Sequence, residues 1–171
     1  NYDSTMDALA KGTRDGITLA VNVGAMVLVL VSLVALANGV LSVVNLFETT
    51  LSLERIFGWV FSPIAWLIGI PWAESSIAGS LLGTKLVLNE LVAFIKLAEV
   101  ASELSQHSVR VLTFALCGFA NFGSLGILLG GLYILVPDRR EETIRIAPKS
   151  ILSGTVVTLM SASLVSVITS I

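Results

Sequence analysis

The sequence predicts an all-α integral membrane fold: three spanning helices, one of them broken at the membrane midplane, with one interfacial helix and one re-entrant helical hairpin. Three observations carry this. Charged residues are 13% of the 171 and apolar residues 55%, where a soluble domain carries about 25% charge. Ten Lys and Arg and twelve Asp and Glu are too few to clothe a water-soluble body. The charges also leave long gaps: residues 16–47, 56–73, 111–137 and 150–171 hold none, and about 20 apolar residues cross a bilayer core. Finally, polar residues cut two apolar stretches at positions that exposure to lipid forbids.

Residues 1–16 are a polar lead-in with Lys11 and Arg14. Residues 17–47 form the first span, a scaffold helix long enough to tilt or to pass beyond the interface. Over 51–70, Leu53, Ile56, Phe57, Val60, Phe61 and Ile64 fall on one helical face, with Ser52, Glu54, Arg55, Gly58 and Ser62 on the other. That pattern predicts an amphipathic helix lying in the interface, interrupted at its far end by Pro63. Trp59, Trp66 and Trp72 suit the headgroup zone.

Residues 73–104 are the most informative. The apolar piece 75–88 is too short to span, and Glu90 follows it. A carboxylate at the centre of a membrane costs about 2.5–3.5 kcal/mol or more. A re-entrant hairpin resolves both problems, with Asn89 and Glu90 at its tip, Asn89 capping the second half-helix and Glu90 at that helix's positive end. Residues 109–136 form a span whose middle, Leu116 to Gly126, holds Gly118, Asn121, Gly123 and Ser124. Such a stretch reads as a discontinuous helix, tolerated in lipid only where it lines a cavity or is buried in protein. Residues 137–149 read as a polar loop and 150–171 as the last span. Gly79 and Gly83 form a small-residue pair suited to close helix packing.

Lys11, Arg14 and the four basic residues of 137–149 place those segments in the cytoplasm by the positive-inside rule, which puts Ile171 on the extracellular or periplasmic side of the cell membrane. A net charge of −2 without a basic tract argues against nucleic acid. A single cysteine, Cys117, excludes an internal disulfide and reads as a buried small hydrophobe. The single histidine, His107, excludes paired-histidine metal motifs and reads as a solvated loop residue. No P-loop, nucleophile elbow or zinc motif is present, so no cofactor, no metal site and no enzyme activity is expected of this portion.

Two broken elements thus bring polar side chains to mid-membrane: Asn89 and Glu90 from the hairpin tip, Asn121 and Ser124 from the broken span. A carboxylate and an amide in a dry cavity suit a neutral ligand rich in hydroxyls, with Phe119 and Phe122 as flat apolar walls. The competing reading makes Glu90 a partner of Lys85 or Lys96, neither of which lies at favourable helical spacing from it, and makes Asn121 a helix–helix bonding residue.

The strings Gly69–Glu74 (GIPWAE), Lys85–Phe94 (KLVLNELVAF) and Ala115–Gly126 (ALCGFANFGSLG), with Asn22–Met26 (NVGAM), resemble the C-terminal half of the concentrative nucleoside transporter family over nearly the whole chain. The resemblance implies a homotrimeric nucleoside:cation symporter. It implies ribose binding by Glu90, Asn121 and Ser124 beside Asn89, with Phe119 next to the nucleobase. The coupling ion, Na+ or H+, would bind in the N-terminal half of the same transporter. Two departures stand out: Ala73 replaces the usual Asn of Pro-Trp-Asn-Glu, and Leu91 and Phe94 replace the usual Phe and Tyr after the tip Glu. The chain begins with Asn1 and reads as the C-terminal part of a larger carrier. The alternative is a non-transporting membrane assembly subunit or degenerate half-transporter.

Overall fold

A computed structural model describes residues 4–43, 45–46, 49–135 and 137–170. The outermost residues of the lead-in and of all three expected spans (1–3, 47, 136, 171) lie outside it. Among the described residues, seven α-helices hold most of the chain. Helix α1 (Thr5–Leu41) starts on a Ser4 cap whose hydroxyl accepts from the Asp7 N–H at 3.2 Å. The polar lead-in and the apolar stretch are therefore one uninterrupted helix. A two-residue antiparallel pair, β1 (Asn45–Leu46) and β2 (Thr49–Thr50), reverses the chain.

Helix α2 (Leu53–Leu67) runs through Pro63 rather than stopping there. It ends on a Schellman turn, in which the Gly69 N–H bonds the Trp66 carbonyl at 2.9 Å and the Ile70 N–H bonds Ala65 at 3.2 Å. That turn requires the positive φ of 99° found at Gly69. A single 3₁₀ turn at Trp72–Glu74 leads into α3 (Ser75–Val87), and α4 (Glu90–Val100) returns as the second arm of a helical hairpin. Helix α5 (Gln106–Leu116) and helix α6 (Phe122–Leu135) are separated by the non-helical residues 117–121, and α7 (Arg140–Thr169) closes the chain.

Three expectations are corrected here. The 137–149 stretch is not a loop: α7 begins at Arg140 and passes through Pro148. Glu141 and Glu142 favour the helix start, and Arg139 pairs with Glu142 at 2.8 Å. The polar side of α2 is not left bare either. Gly58 and Ser62 on that side are buried, as is Ala65, while on the apolar side Phe57 and Phe61 are half-buried and Val60 is exposed. The cause is close packing on α3: a Cβ on Gly79 would lie 2.8 Å from the Gly58 carbonyl oxygen and from the Ser62 nitrogen. Small residues on both helices let the backbones meet. His107, finally, lies in the first turn of α5 rather than in a loop. Its Nε2 is 3.1 Å from the Gly69 carbonyl and 3.2 Å from the Ser166 hydroxyl, and its Nδ1 is 3.4 Å from Thr169 Oγ1.

The core lies where α2, α3, α4, α5 and α7 converge, around Ala65, Ala78, Leu82, Ala93, Leu112 and Ala162. The exterior is inverted relative to a soluble protein. Leu9, Val21, Leu28, Leu152, Met160 and Leu164 are more than 60% exposed, while Lys85 and Asn121 are 2% and 0% exposed. Helices α1 and α7 are long and apolar enough to cross a membrane. With 11 and 14 residues, α5 and α6 are each shorter than the about 20 needed.

Candidate functional site

The site grows from two helix starts. Asn89 caps α4: its Oδ1 accepts from the Val92 N–H at 2.9 Å, in the role its place in the sequence predicts. Asn121 does the same for α6, its Oδ1 accepting from the Ser124 N–H at 2.7 Å. A helix start leaves N–H groups without partners and carries partial positive charge. The two capped starts face each other, and the Asn121 Nδ2 donates to Glu90 Oε2 at 3.1 Å. One asparagine thereby organises its own helix with one atom and reaches the opposite helix with the other.

Asn89, Glu90, Phe119, Asn121 and Ser124 all line one cavity of about 660 Å³, within the range usual for small-molecule sites. Phe119 is 78% exposed and offers a bare ring at its edge. Because the cap uses Asn89 Oδ1, what Asn89 has left for a ligand is its amide nitrogen. Among the described residues neither competing partner is hydrogen-bonded to Glu90. Lys96 forms an ion pair with Glu54 at 2.9 Å, and Lys85 donates to two neutral oxygens and meets Glu90 only through its charge.

The Lys96–Glu54 pair belongs to a polar knot joining α1, α2 and α4. Asn38 donates from Nδ2 to Glu54 Oε2 at 2.9 Å and accepts the Leu53 N–H on Oδ1 at 2.8 Å. Partial burial works to raise the Glu54 pKa. The hydrogen bonds from Lys96, from its own backbone and from Asn38, with the Lys96 charge, outweigh that and hold the carboxyl below the ordinary glutamate value.

Sequence reasoning missed one wall. Ser150, Ile151 and Gly154 of α7 also line the cavity. The non-helical stretch 117–121 is seated on that helix: a Cβ on Gly154 would approach Ala120 Cβ at 2.9 Å, and one on Gly118 would approach Thr158 Cγ2 at 2.5 Å. The four-residue spacing of Gly154 and Thr158 was visible, but nothing local tied it to the break. Cys117 corrects another expectation. It is exposed, because it is the C-cap of α5, where the chain leaves the helix with ψ 81°.

An apolar exterior, buried polar groups and two broken helical elements opening on one cavity define a membrane domain of the kind carriers use to bind solutes. The family description "Na+ dependent nucleoside transporter C-terminus" matches residues 1–166. The chain is 47% identical to the uncharacterized transporter YutK of Bacillus subtilis over 94% of its own length and 40% of that protein's. It is 39% identical to the nucleoside permease NupC of Helicobacter pylori, with the same two coverages. A solved structure of a CNTnw variant in its intermediate 2 state superposes with a TM-score of 0.89 at 41% identity, over 97% of this chain and 42% of that one. The chain belongs to the concentrative nucleoside transporter family, as its C-terminal domain. It spans 40% of the length of these two relatives and about a quarter of that of the mammalian ones.

Proposed function

We propose that this chain is the C-terminal portion of a cation-coupled nucleoside symporter and that its cavity binds the ribose. The observation that carries the reading is the Glu90–Asn121 hydrogen bond at the meeting of two capped helix starts. A carboxylate accepts from the vicinal hydroxyls of a ribose, and an amide and a hydroxyl both donate and accept. Glu90, Asn121 and Ser124 supply those groups, the Asn89 amide nitrogen adds a donor, and the bare Phe119 ring offers a flat face for the base. NupC is called a nucleoside permease and one CNTnw structure is described as substrate-bound, which supports the substrate class.

In this reading α1, α5 with α6, and α7 are three crossings, α3–α4 is a re-entrant hairpin with its tip at mid-membrane, and α2 lies along the interface. The N-terminal side of α1 and the start of α7 face the cytoplasm. The coupling ion, Na+ or H+, binds in the N-terminal half of the transporter, which completes the site, and the assembly is a homotrimer. The test is uptake of labelled uridine by the full-length protein. Glu90→Gln and Asn121→Ala lower uridine uptake at least about tenfold at sub-saturating uridine if the reading is right; unchanged uptake in both variants overturns the site.

A further inference from the structure

A buried cation sits behind the site. Lys85, in the last turn of α3, is 2% exposed. Its Nζ donates to Thr158 Oγ1 on α7 at 3.1 Å and to the Ala115 carbonyl near the end of α5 at 3.4 Å. Thr158 in turn donates to the Thr155 carbonyl at 2.9 Å. The place of the ammonium follows from the break. In a continuing helix the Ala115 carbonyl would accept the Phe119 N–H. Here α5 stops at Leu116, and the Gly118 N–H turns back to the Leu116 carbonyl at 2.9 Å. The last carbonyls of a helix need donors, and the helix dipole favours a cation there. Gly118 keeps the space open, since its Cβ would lie 3.7 Å from Lys85 Nζ and 2.5 Å from Thr158 Cγ2.

Lys85 therefore joins three elements at one point. It precedes Asn89 and Glu90 by about one helical turn, and the chain it grips at Ala115 leads directly to Phe119, Asn121 and Ser124. We propose that Lys85 is the positioning residue of the binding site: its ammonium fixes the broken end of α5 against the hairpin and α7, and so holds Glu90 and Asn121 in register. The proposal rests on the nucleoside-binding reading for its consequence in transport, but not for the clamp itself. A misplacement of about 1 Å in a positioned site is enough to weaken it severely.

The test uses the full-length protein with Lys85→Met, Thr158→Val, Thr158→Ser and the double variant Lys85→Met/Thr158→Val. Two quantities are read: the KM and maximal rate of uridine uptake, and the rate at which a thiol reagent modifies Cys117, corrected with Cys117→Ala. Cys117 is exposed at the end of α5 and reports the fixation of the break. Lys85→Met is expected to raise KM about tenfold or more, the factor lost with one charge-assisted hydrogen bond; because the Lys85 charge also acts on Cys117, the Cys117 rates are compared among the variants that keep the lysine. Thr158→Val raises KM to a smaller degree and speeds Cys117 modification, Thr158→Ser restores wild-type values of both, and Val adds nothing to KM once Lys85 is Met. If Lys85→Met does not fold, the Val and Ser pair decides. Equal KM and equal Cys117 rates in wild type, Val and Ser overturn the clamp, as does a Lys85→Met variant that lowers only the maximal rate. If the wild type takes up no uridine, the functional reading fails, and the Cys117 rates alone decide the clamp.

Discussion

Asn121 performs two tasks with one side chain, so removing it has a consequence that can be worked from the structure. Asn121→Ala deletes the bond from Nδ2 to the Glu90 carboxylate and the bond from the Ser124 N–H to Oδ1. A hydrogen bond to a charged group contributes about 1.5–3 kcal/mol, and an N-cap side chain about 1 kcal/mol. Asn121 is 0% exposed, so water does not readily replace either partner. The loss in unfolding free energy is then roughly 2–4 kcal/mol, with some non-additivity because both bonds share a residue. Asn121→Asp separates the two tasks. It keeps the acceptor for Ser124 but sets a second carboxylate against Glu90. Adding Glu90→Gln restores a donor opposite the new Asp and should recover most of the stability lost by Asn121→Asp alone. Thermal unfolding of the purified full-length protein and calorimetric uridine binding check this. Binding should weaken by about 10- to 150-fold in both single variants, the equivalent of the lost charged bond. Two results refute the reasoning: an Ala variant as stable as wild type, or an Asp variant that Glu90→Gln fails to rescue.

Three further expectations follow from local geometry. Gly79→Ala pushes a methyl group to 2.8 Å from backbone atoms of Gly58 and Ser62; it should destabilise by about 1–3 kcal/mol, seen as a lower unfolding temperature. Gly69→Ala meets both the positive φ of 99° and the Ser166 hydroxyl, and should cost at least about 1–3 kcal/mol in the same measurement. Glu54, whose folded pKa is depressed, contributes stability that is complete above its unfolded value and is lost as pH falls through the lower folded value. Between pH 6 and pH 3 the wild type should therefore lose more stability than Glu54→Gln, by no more than about 1 kcal/mol because both partners are about a third exposed. Equal slopes would remove the Lys96–Glu54 pair from the account.

How much of this was legible in the residues depended on range. The hairpin tip was readable because a short apolar piece, an Asn and a Glu lie within a few positions, and the cap rule operates over three residues. The break at 117–121 was readable because Gly118, Asn121 and Gly123 weaken any helix locally. The packing of the polar side of α2 was not. Periodicity sets Gly58 and Ser62 on that side, yet they are buried by their match to Gly79 on another helix. His107 was misread for the same reason, since its partners Gly69, Ser166 and Thr169 are remote in sequence. The polar start of α7 looked like a loop because its charges do not show helical patterning, yet Glu141, Glu142 and the Arg139–Glu142 pair support a helix start.

The sign of the partner at each broken end links these observations. A helix start presents donors and a helix end presents acceptors. The starts of α4 and α6 are each met by an asparagine oxygen, and the end of α5 is met by the Lys85 ammonium. Three of the broken ends are thus met by a side chain of this same chain. The caps use the side-chain oxygen of each asparagine, Asn121 also gives its amide nitrogen to Glu90, and Asn89, Glu90 and Ser124 line the cavity. A site built this way need not reorganise its backbone to bind. That is why the three residues that complete the broken ends, Lys85, Asn89 and Asn121, should govern affinity for a ligand that the lysine, walled off behind the break, does not line the cavity to meet.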